Sequence, residues 1–271
     1  MSFIAGEKFE LVLLRSSEIF LHEECEDNRY SKLIDRFRNE QVLFNPLIVG
    51  KHNREYFLID GANRFEALKR IGMKMILAQV VDYSSRDVTL KSWYHLVRGL
   101  SFTALKKYLS ANKIKFRKIQ KAGIKKIPVA SVGVLTHKNE FYILFFDSLL
   151  EKYLESLSKL IKFYEKNYRY DRIDSDSDLE SISRNDGLIF LYPNFTKNHI
   201  QQIAKSSVKL PAGISRHLIP NRVLHIKYPL INLKSDRNIT QKNSELQELI
   251  KKKIEYKKVR LYREPILIFD E

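Results

Sequence analysis

The run YFLIDGANRFEALKRIGMKMILAQVV, Tyr56 to Val81, constrains the fold more tightly than any other part of this sequence. YFLID reads as an extended apolar segment that stops at Asp60 and Gly61. From Gly61 to Ile71 the apolar residues recur at helical spacing, Gly72 closes the helix, and MILAQVV is again strand-like. Upstream, FELVLL adds an extended piece followed by the polar turn RSSE, and PLIVG, starting at Pro46, adds another. IFLHEECEDNRYSKLIDRFRNE supplies a helix whose apolar face carries Tyr30, Leu33, Ile34 and Phe37. This short-period alternation predicts a small mixed α/β lobe over residues 1–88.

Residues 89–271 read as a larger mixed lobe, so the expected fold class is mixed α+β with a cleft between lobes. VTLKSWYHLV leads into the helical candidate FTALKKYLSANK, and RKIQKAGIKKIP is densely basic. VASVGVL and FYILFF, joined by THKNE, predict a hairpin or neighbouring strands. A long helix is expected over Leu149 to Asn167. YDRIDSDSDLESISRNDG reads as a polar connection or a short acidic-capped helix, and GLIFLYP as a strand. NFTKNHIQQIAKSS predicts a further helix, before VKLPAGISRHLIPNRVLHIKYPL returns to turns and extended chain. A charged helix over Asn243 to Lys257 and a last strand within VRLYREPILIFDE complete the prediction.

Composition bounds the chemistry. With 44% hydrophobic residues in 271, the chain can bury a substantial core. A single cysteine excludes an internal disulfide and a Cys-based metal cluster. MSFIAGEKFE lacks the apolar core of a secretion signal, and no apolar run reaches membrane-spanning length, so a cytoplasmic protein without a membrane partner is expected. The formal charge of +16 suits a polyanion or a small phosphorylated ligand, but equally a well-solvated surface.

Three polar clusters carry the candidate chemistry. At Asp60, Gly61, Ala62, Asn63 and Arg64, a glycine permits close backbone approach and a helix N-terminus offers free amides to an anion. Arg64 could reach that anion, while Asp60 could orient a hydroxyl, cap the helix or ligate a divalent ion. The plainer alternative is a capped helix with Arg64 in solvent. No Walker loop, kinase glycine loop or dinucleotide fingerprint is present. In HEECED, Glu23 could accept a hydroxyl proton, and HEECE is not the HExxH zinc motif. In LPAGISRHLIPNR, a constrained turn at Pro211 and Gly213 presents Ser215, Arg216 and His217, with Arg216 suited to a carboxylate or phosphate. Trp93 could wall a pocket or simply pack.

Taken together, LHE at Leu21–Glu23, NPLIVG at Asn45–Gly50, IDGANRFEAL at Ile59–Leu68, SWYHLV at Ser92–Val97 and LPAGISRH at Leu210–His217 resemble the free L-serine kinase family of the ParB and sulfiredoxin-like superfamily. The resemblance implies a ParB/sulfiredoxin-like N-terminal lobe and phosphoryl transfer from ATP or ADP, with Mg²⁺, to free L-serine. It implies Glu23 as the group that activates the serine hydroxyl, and Asp60 as catalytically important and near the metal. Gly61, Ala62, Asn63 and Arg64 would form the phosphate region. Trp93, Ser215, Arg216 and His217 would serve substrate recognition, on segments that converge on the Asp60 turn.

The chain departs from the family's frequent DGxHR pattern by carrying Asn63, which cannot become an imidazolium. That departure keeps open a serine or phosphoserine sensor without chemistry. Ala62 stands where sulfiredoxins place their reactive cysteine, and Cys25 lies in another segment, which argues against sulfinic-acid reduction. The remaining alternative is a nucleic-acid-binding regulator. It would rest on the charge and on helical candidates between Val88 and Asn112 that suggest a helix-turn-helix.

Overall fold

The computed structural model describes residues 2–4, 7–120, 127–175, 177, 179, 182 and 187–262. Its contacts divide the chain into two compact units. The first takes the chain up to Phe20, Cys25–Val88 and the part from Ile219 on; the second takes Leu21–Glu24 and Thr89–Leu218. Where a single division near residue 88 was expected, residues from 219 on rejoin the first unit.

In the first unit, β1 (Ser2–Ile4) and β2 (Glu7–Phe9) form a small antiparallel pair. The principal sheet uses β3 (Leu11–Arg15), β4 (Ile19–Leu21), β6 (Leu47–His52), β7 (Glu55–Asp60) and β8 (Met75–Asp82), in the order β3-β8-β6-β7-β4. Strand β5 (Val42–Leu43) stands apart from it. β6 and β8 run parallel, which requires a crossover; β7 and helix α2 (Ala62–Arg70) supply it. Helix α2 buries Phe65, Ala67 and Leu68, and helix α1 (Asp27–Glu40) buries Tyr30 and Phe37.

The second unit is built on one antiparallel sheet, ordered β10-β12-β11-β14-β9-β13. Its strands are β9 (Thr89–Arg98), β10 (Lys115–Ile119), β11 (Ser131–Thr136), β12 (Phe141–Phe145), β13 (Tyr170–Asp174) and β14 (Gly187–Leu191). Helices α3 (Phe102–Ala111), α4 (Leu150–Asn167) and α5 (Lys197–Lys205) accompany them. The expected hairpin is β11–β12, turned by Asn139 in the left-handed region at φ 59°. Leu96, Leu135, Phe141 and Ile189 knit its core, and α4 buries Tyr153, Leu154, Leu157, Leu160, Ile161 and Tyr164.

β9 is long enough to take two partners in succession: its second half pairs with β13, and Thr89–Ser92 pairs with β15 (Ser215–Leu218). The chain then returns to the first unit, where β16 (Tyr228–Pro229) pairs with β5. Helix α6 (Ile239–Glu255) lies along β3. Its Asn243 side chain accepts from the Leu13 amide at 2.8 Å and donates to the Leu13 carbonyl at 3.1 Å, and Gln247, one turn on, donates to the Leu11 carbonyl at 2.8 Å. Two helical side chains thus stand in for a neighbouring strand on β3 and blunt the sheet edge.

Three expectations change. The Val88–Asn112 segment holds one strand and one helix, so the helix-turn-helix is absent there: β9 lies between β14 and β13, and sheet pairing overrides any helical pattern in VTLKSWYHLV. Tyr170–Asp174 is strand rather than a polar connection, because β9 offers it a pairing edge. Ser215, Arg216 and His217 sit in a strand after the turn, not in the turn itself. Residues 121–126 of the basic segment and the expected tail strand lie outside the described residues.

Candidate active site

The first unit carries the Asp60 turn. β7 pairs with β6 until the register shifts: Val49 faces Leu58 but Ile48 faces Asp60, so Ile59 is an extra residue and the strand bulges just before the turn. A bulge re-aims the side chain that follows it. Gly61 then adopts φ +98°, a left-handed conformation that a side chain would strain, and serves as N-cap of α2. As N-cap, glycine brings no side-chain acceptor, so the amides of the first helical turn are left for a ligand.

Asp60 Oδ2 accepts from Arg64 Nη2 at 2.7 Å and from Arg222 Nη1 at 3.1 Å. Asn63 does not face this carboxylate. Its Oδ1 accepts from the Glu26 amide at 2.8 Å and its Nδ2 donates to Glu26 Oε2 at 3.4 Å, which ties the starts of α1 and α2 together. Cys25 joins the same seam, its thiol donating to the Ala62 carbonyl at 3.4 Å.

The second unit carries Glu23. Its backbone bridges Leu210, with the Glu24 amide donating to the Leu210 carbonyl and the Leu210 amide to His22, both at 2.8 Å. This fastens the LHE segment beside the LPAGISRH segment. Glu23 Oε1 accepts from the Gly213 amide, and Oε2 accepts from the Ser215 hydroxyl at 3.2 Å. His22 Nε2 lies 2.8 Å from Ser215 Oγ and 3.7 Å from Glu23 Oε2. With the hydroxyl proton directed at the carboxylate, Ser215 accepts from His22, which places the histidine proton on Nε2. His217 is buried with its ring edge-on to His22 at 5.4 Å. Arg216 stacks over Trp93 at 4.3 Å and pairs with Asp174, the residue opposite Trp93 on β13.

Also in the second unit, His95 donates from Nε2 to the Gly213 carbonyl at 3.1 Å, and its Nδ1 lies 2.6 Å from the Tyr164 hydroxyl. A carbonyl only accepts, so the Nε2–H tautomer is fixed and Tyr164 must donate. Burial pushes the His95 imidazole down to about 3 despite the bond to Gly213, so it stays neutral at physiological pH. Burial likewise pushes the Tyr164 and Tyr192 phenols up. Gly213, at φ +77°, is therefore held through both of its backbone polar groups: the carbonyl by His95, the amide by Glu23.

The sequence-predicted residues thus fall into two groups. Asp60, Gly61, Ala62, Asn63 and Arg64 share the turn of the first unit; Glu23, Trp93, Ser215, Arg216 and His217 gather in the second. Arg222, Asp174 and His95 went unassigned from sequence. Arg222 lies six residues after Arg216 in a segment already marked as turn-rich, and His95 lies within SWYHLV; their partners are too distant in the chain to be read from spacing. Among the described residues, no group of three His, Cys, Asp or Glu side chains is arranged to hold a metal ion.

Several known proteins are similar to the chain over most of its length. The chain is 28% identical over 245 residues to an ATP-dependent L-serine kinase of Staphylothermus marinus, covering 83% of this chain and 92% of that protein. It is 23% identical over 264 residues to the ATP-dependent L-serine kinase SbnI of Staphylococcus aureus, covering 96% and 97% respectively. The solved structure of SbnI with a C-terminal truncation matches with TM-score 0.75 at 19% identity, covering 90% of this chain and 97% of that one. A free serine kinase in complex with AMP matches with TM-score 0.69 at 17% identity, over 84% and 95%. No protein-family model matches. The fold is a mixed α+β fold shared with these solved structures. Over most of its length the chain is thus similar to ATP-dependent L-serine kinases.

Proposed function

We propose that this protein transfers a phosphoryl group from ATP or ADP to the hydroxyl of free L-serine, giving O-phospho-L-serine. The observation that carries the reading is the setting of Glu23. Its carboxylate is held by a backbone amide and a serine hydroxyl, in the segment that also carries Arg216 and His217. The near-full-length similarity to L-serine kinases supports the same reading.

In this reaction the serine Oγ–H bond breaks and its proton passes to Glu23. A bond forms from Oγ to the terminal phosphorus, and the bond from that phosphorus to the remaining nucleotide breaks. The free amides at the start of α2 receive phosphate charge, and Asp60 fixes the guanidinium groups beside them. Arg216, set by Asp174 and Trp93, meets the amino-acid carboxylate. Ser215 and His217 act chiefly by holding Glu23 and His22 in place. Asn63 is committed to Glu26, so the chemistry proposed here needs no imidazole at position 63.

Mg²⁺ fits as an ion borne by the nucleotide, neutralising phosphate charge and held mainly by phosphate oxygens and water. Asp60 is the carboxylate of the turn able to join that shell, and the lack of a larger acidic cluster among the described residues argues against a dedicated protein cage.

The decisive experiment incubates folded protein with L-serine, Mg²⁺ and ATP or ADP, and identifies O-phosphoserine by mass. Product with either donor is expected. Its absence with both donors, across a range of temperatures, would end this assignment.

A further inference from the structure

The two arginines on Asp60 are not equivalent. A guanidinium has five N–H groups, and those of Arg64 are largely committed. Its Nη1 donates to the carbonyls of Asn45 at 3.1 Å and Pro46 at 3.0 Å, and its Nη2 to Asp60 at 2.7 Å. Its remaining edge lies over Gly61, where an added Cβ would stand 3.0 Å from Nη2 and 3.2 Å from Nε. Arg64 therefore fills the space that the glycine leaves and locks β6, Asp60 and the turn together. Three of its five N–H groups are thus spent on the fold.

Arg222 has the opposite character. Its backbone is fixed by the side chain of buried Gln79, which donates to the Asn221 carbonyl at 2.9 Å and accepts from the Val223 amide at 2.8 Å. One amide group thus grips the chain on both sides of Arg222. The tip is different: the side chain is 40% exposed, and its ion pair among the described residues is with Asp60. A fixed base with a releasable tip is the arrangement that binds an anion at small cost in ordering.

We propose that Arg222, rather than Arg64, is the guanidinium that binds the nucleotide polyphosphate, exchanging Asp60 for phosphate oxygens. Arg64 is then a positioning residue that keeps Asp60 and the α2 amides in place. The inference rests on the kinase reading and names the cation its phosphate site uses.

The test measures binding of ADP, AMP and adenosine by calorimetry, at fixed Mg²⁺ and ionic strength, to the wild type, Arg222→Ala and Arg222→Lys. Arg222→Ala should weaken ADP by about tenfold or more, as expected for loss of a charge-assisted bond. It should weaken AMP less and leave adenosine unchanged. The melting temperature of the ligand-free variant should match the wild type, and Arg222→Lys should recover part of the lost affinity. ADP affinity within about twofold of wild type in Arg222→Ala would overturn the proposal. If the wild type still phosphorylates serine in that case, the kinase reading stands and only the role of Arg222 falls. If the wild type binds neither ADP nor ATP, both fall together.

Discussion

The Asp60 turn and the Glu23 pocket share a plan and differ in one respect that divides their labour. Each pairs a carboxylate with a left-handed glycine, Gly61 at φ +98° and Gly213 at φ +77°. In each, an arginine lies where the missing Cβ would be, Arg64 in the first and Arg172 in the second. The donors to the carboxylates differ. Asp60 is met by two guanidinium groups, whereas Glu23 is met by an amide and a hydroxyl, with the His22 ring nearby. The first arrangement holds cations in position, and the second leaves a carboxylate able to take a proton in turnover.

The largest expected effect tests that division directly. Glu23→Gln should lower kcat by about 100-fold or more, the usual contribution of a general base, with an unchanged circular-dichroism spectrum. Asp60→Asn should instead weaken nucleotide binding as well as turnover. If Glu23→Gln weakens nucleotide binding while kcat survives, the roles proposed here are reversed.

The next effect reads out the support under Gly213. The His95 pKa lies below the ordinary imidazole value of 6.5, at about 3, so the folded state favours the neutral ring. Its stability contribution is complete above pH 6.5 and is lost as pH falls towards 3, where unfolding takes up a proton at this site. Across that window wild-type stability should fall with decreasing pH more steeply than that of His95→Gln, by about 1.4 kcal/mol per pH unit. Urea unfolding at several pH values between 7 and 4 gives both slopes. Equal slopes would show that the ring is not held neutral.

How legible these regions were in sequence follows from the range of the interactions that build them. The strand–turn–helix–strand over Tyr56 to Val81 was read nearly residue for residue, because its signals are local: Asp60-Gly61 at one end of α2, Gly72 past the other, and an apolar stripe between. The β11–β12 hairpin and α4 were legible for the same reason. β13 was not, since YDRID has no apolar alternation and becomes a strand only because β9 offers an edge. In the sites, the residue types at Glu23, Asp60 and Arg216 were visible, but their partners were not. Arg222 meets Asp60 across 162 residues, and Ser215 meets Glu23 across 192. The bulge at Ile59, which directs Asp60, is a register event that neither strand announces alone.

Replacing the two glycines tests how far the shared plan extends. Gly61→Ala and Gly213→Ala should each cost about 1–2 kcal/mol in urea unfolding, since both demand a left-handed backbone. Their functional effects should diverge. At Gly213 the new Cβ would overlap the Arg172 guanidinium and disturb the amide that holds Glu23, so kcat should fall. At Gly61 it would press on Arg64 and Leu47, so nucleotide affinity should weaken more than kcat. Identical kinetic signatures from the two variants would mean that the carboxylates do not divide the work.

The smallest effect concerns Asn63, which was expected from the sequence in the phosphate region. Its side chain spans the starts of α1 and α2 by accepting from the Glu26 amide at 2.8 Å, and it makes no hydrogen bond to Asp60 or Arg222. Asn63→Ala should therefore remove about 1 kcal/mol of stability, the typical net worth of one hydrogen bond, and leave nucleotide affinity within about twofold. A loss of affinity as large as that expected for Arg222→Ala, without a matching loss of stability, would place Asn63 at the phosphate. The Asp60 turn would then recruit a neutral donor beside its cations, and the contrast with the Glu23 pocket would narrow to the arginines alone.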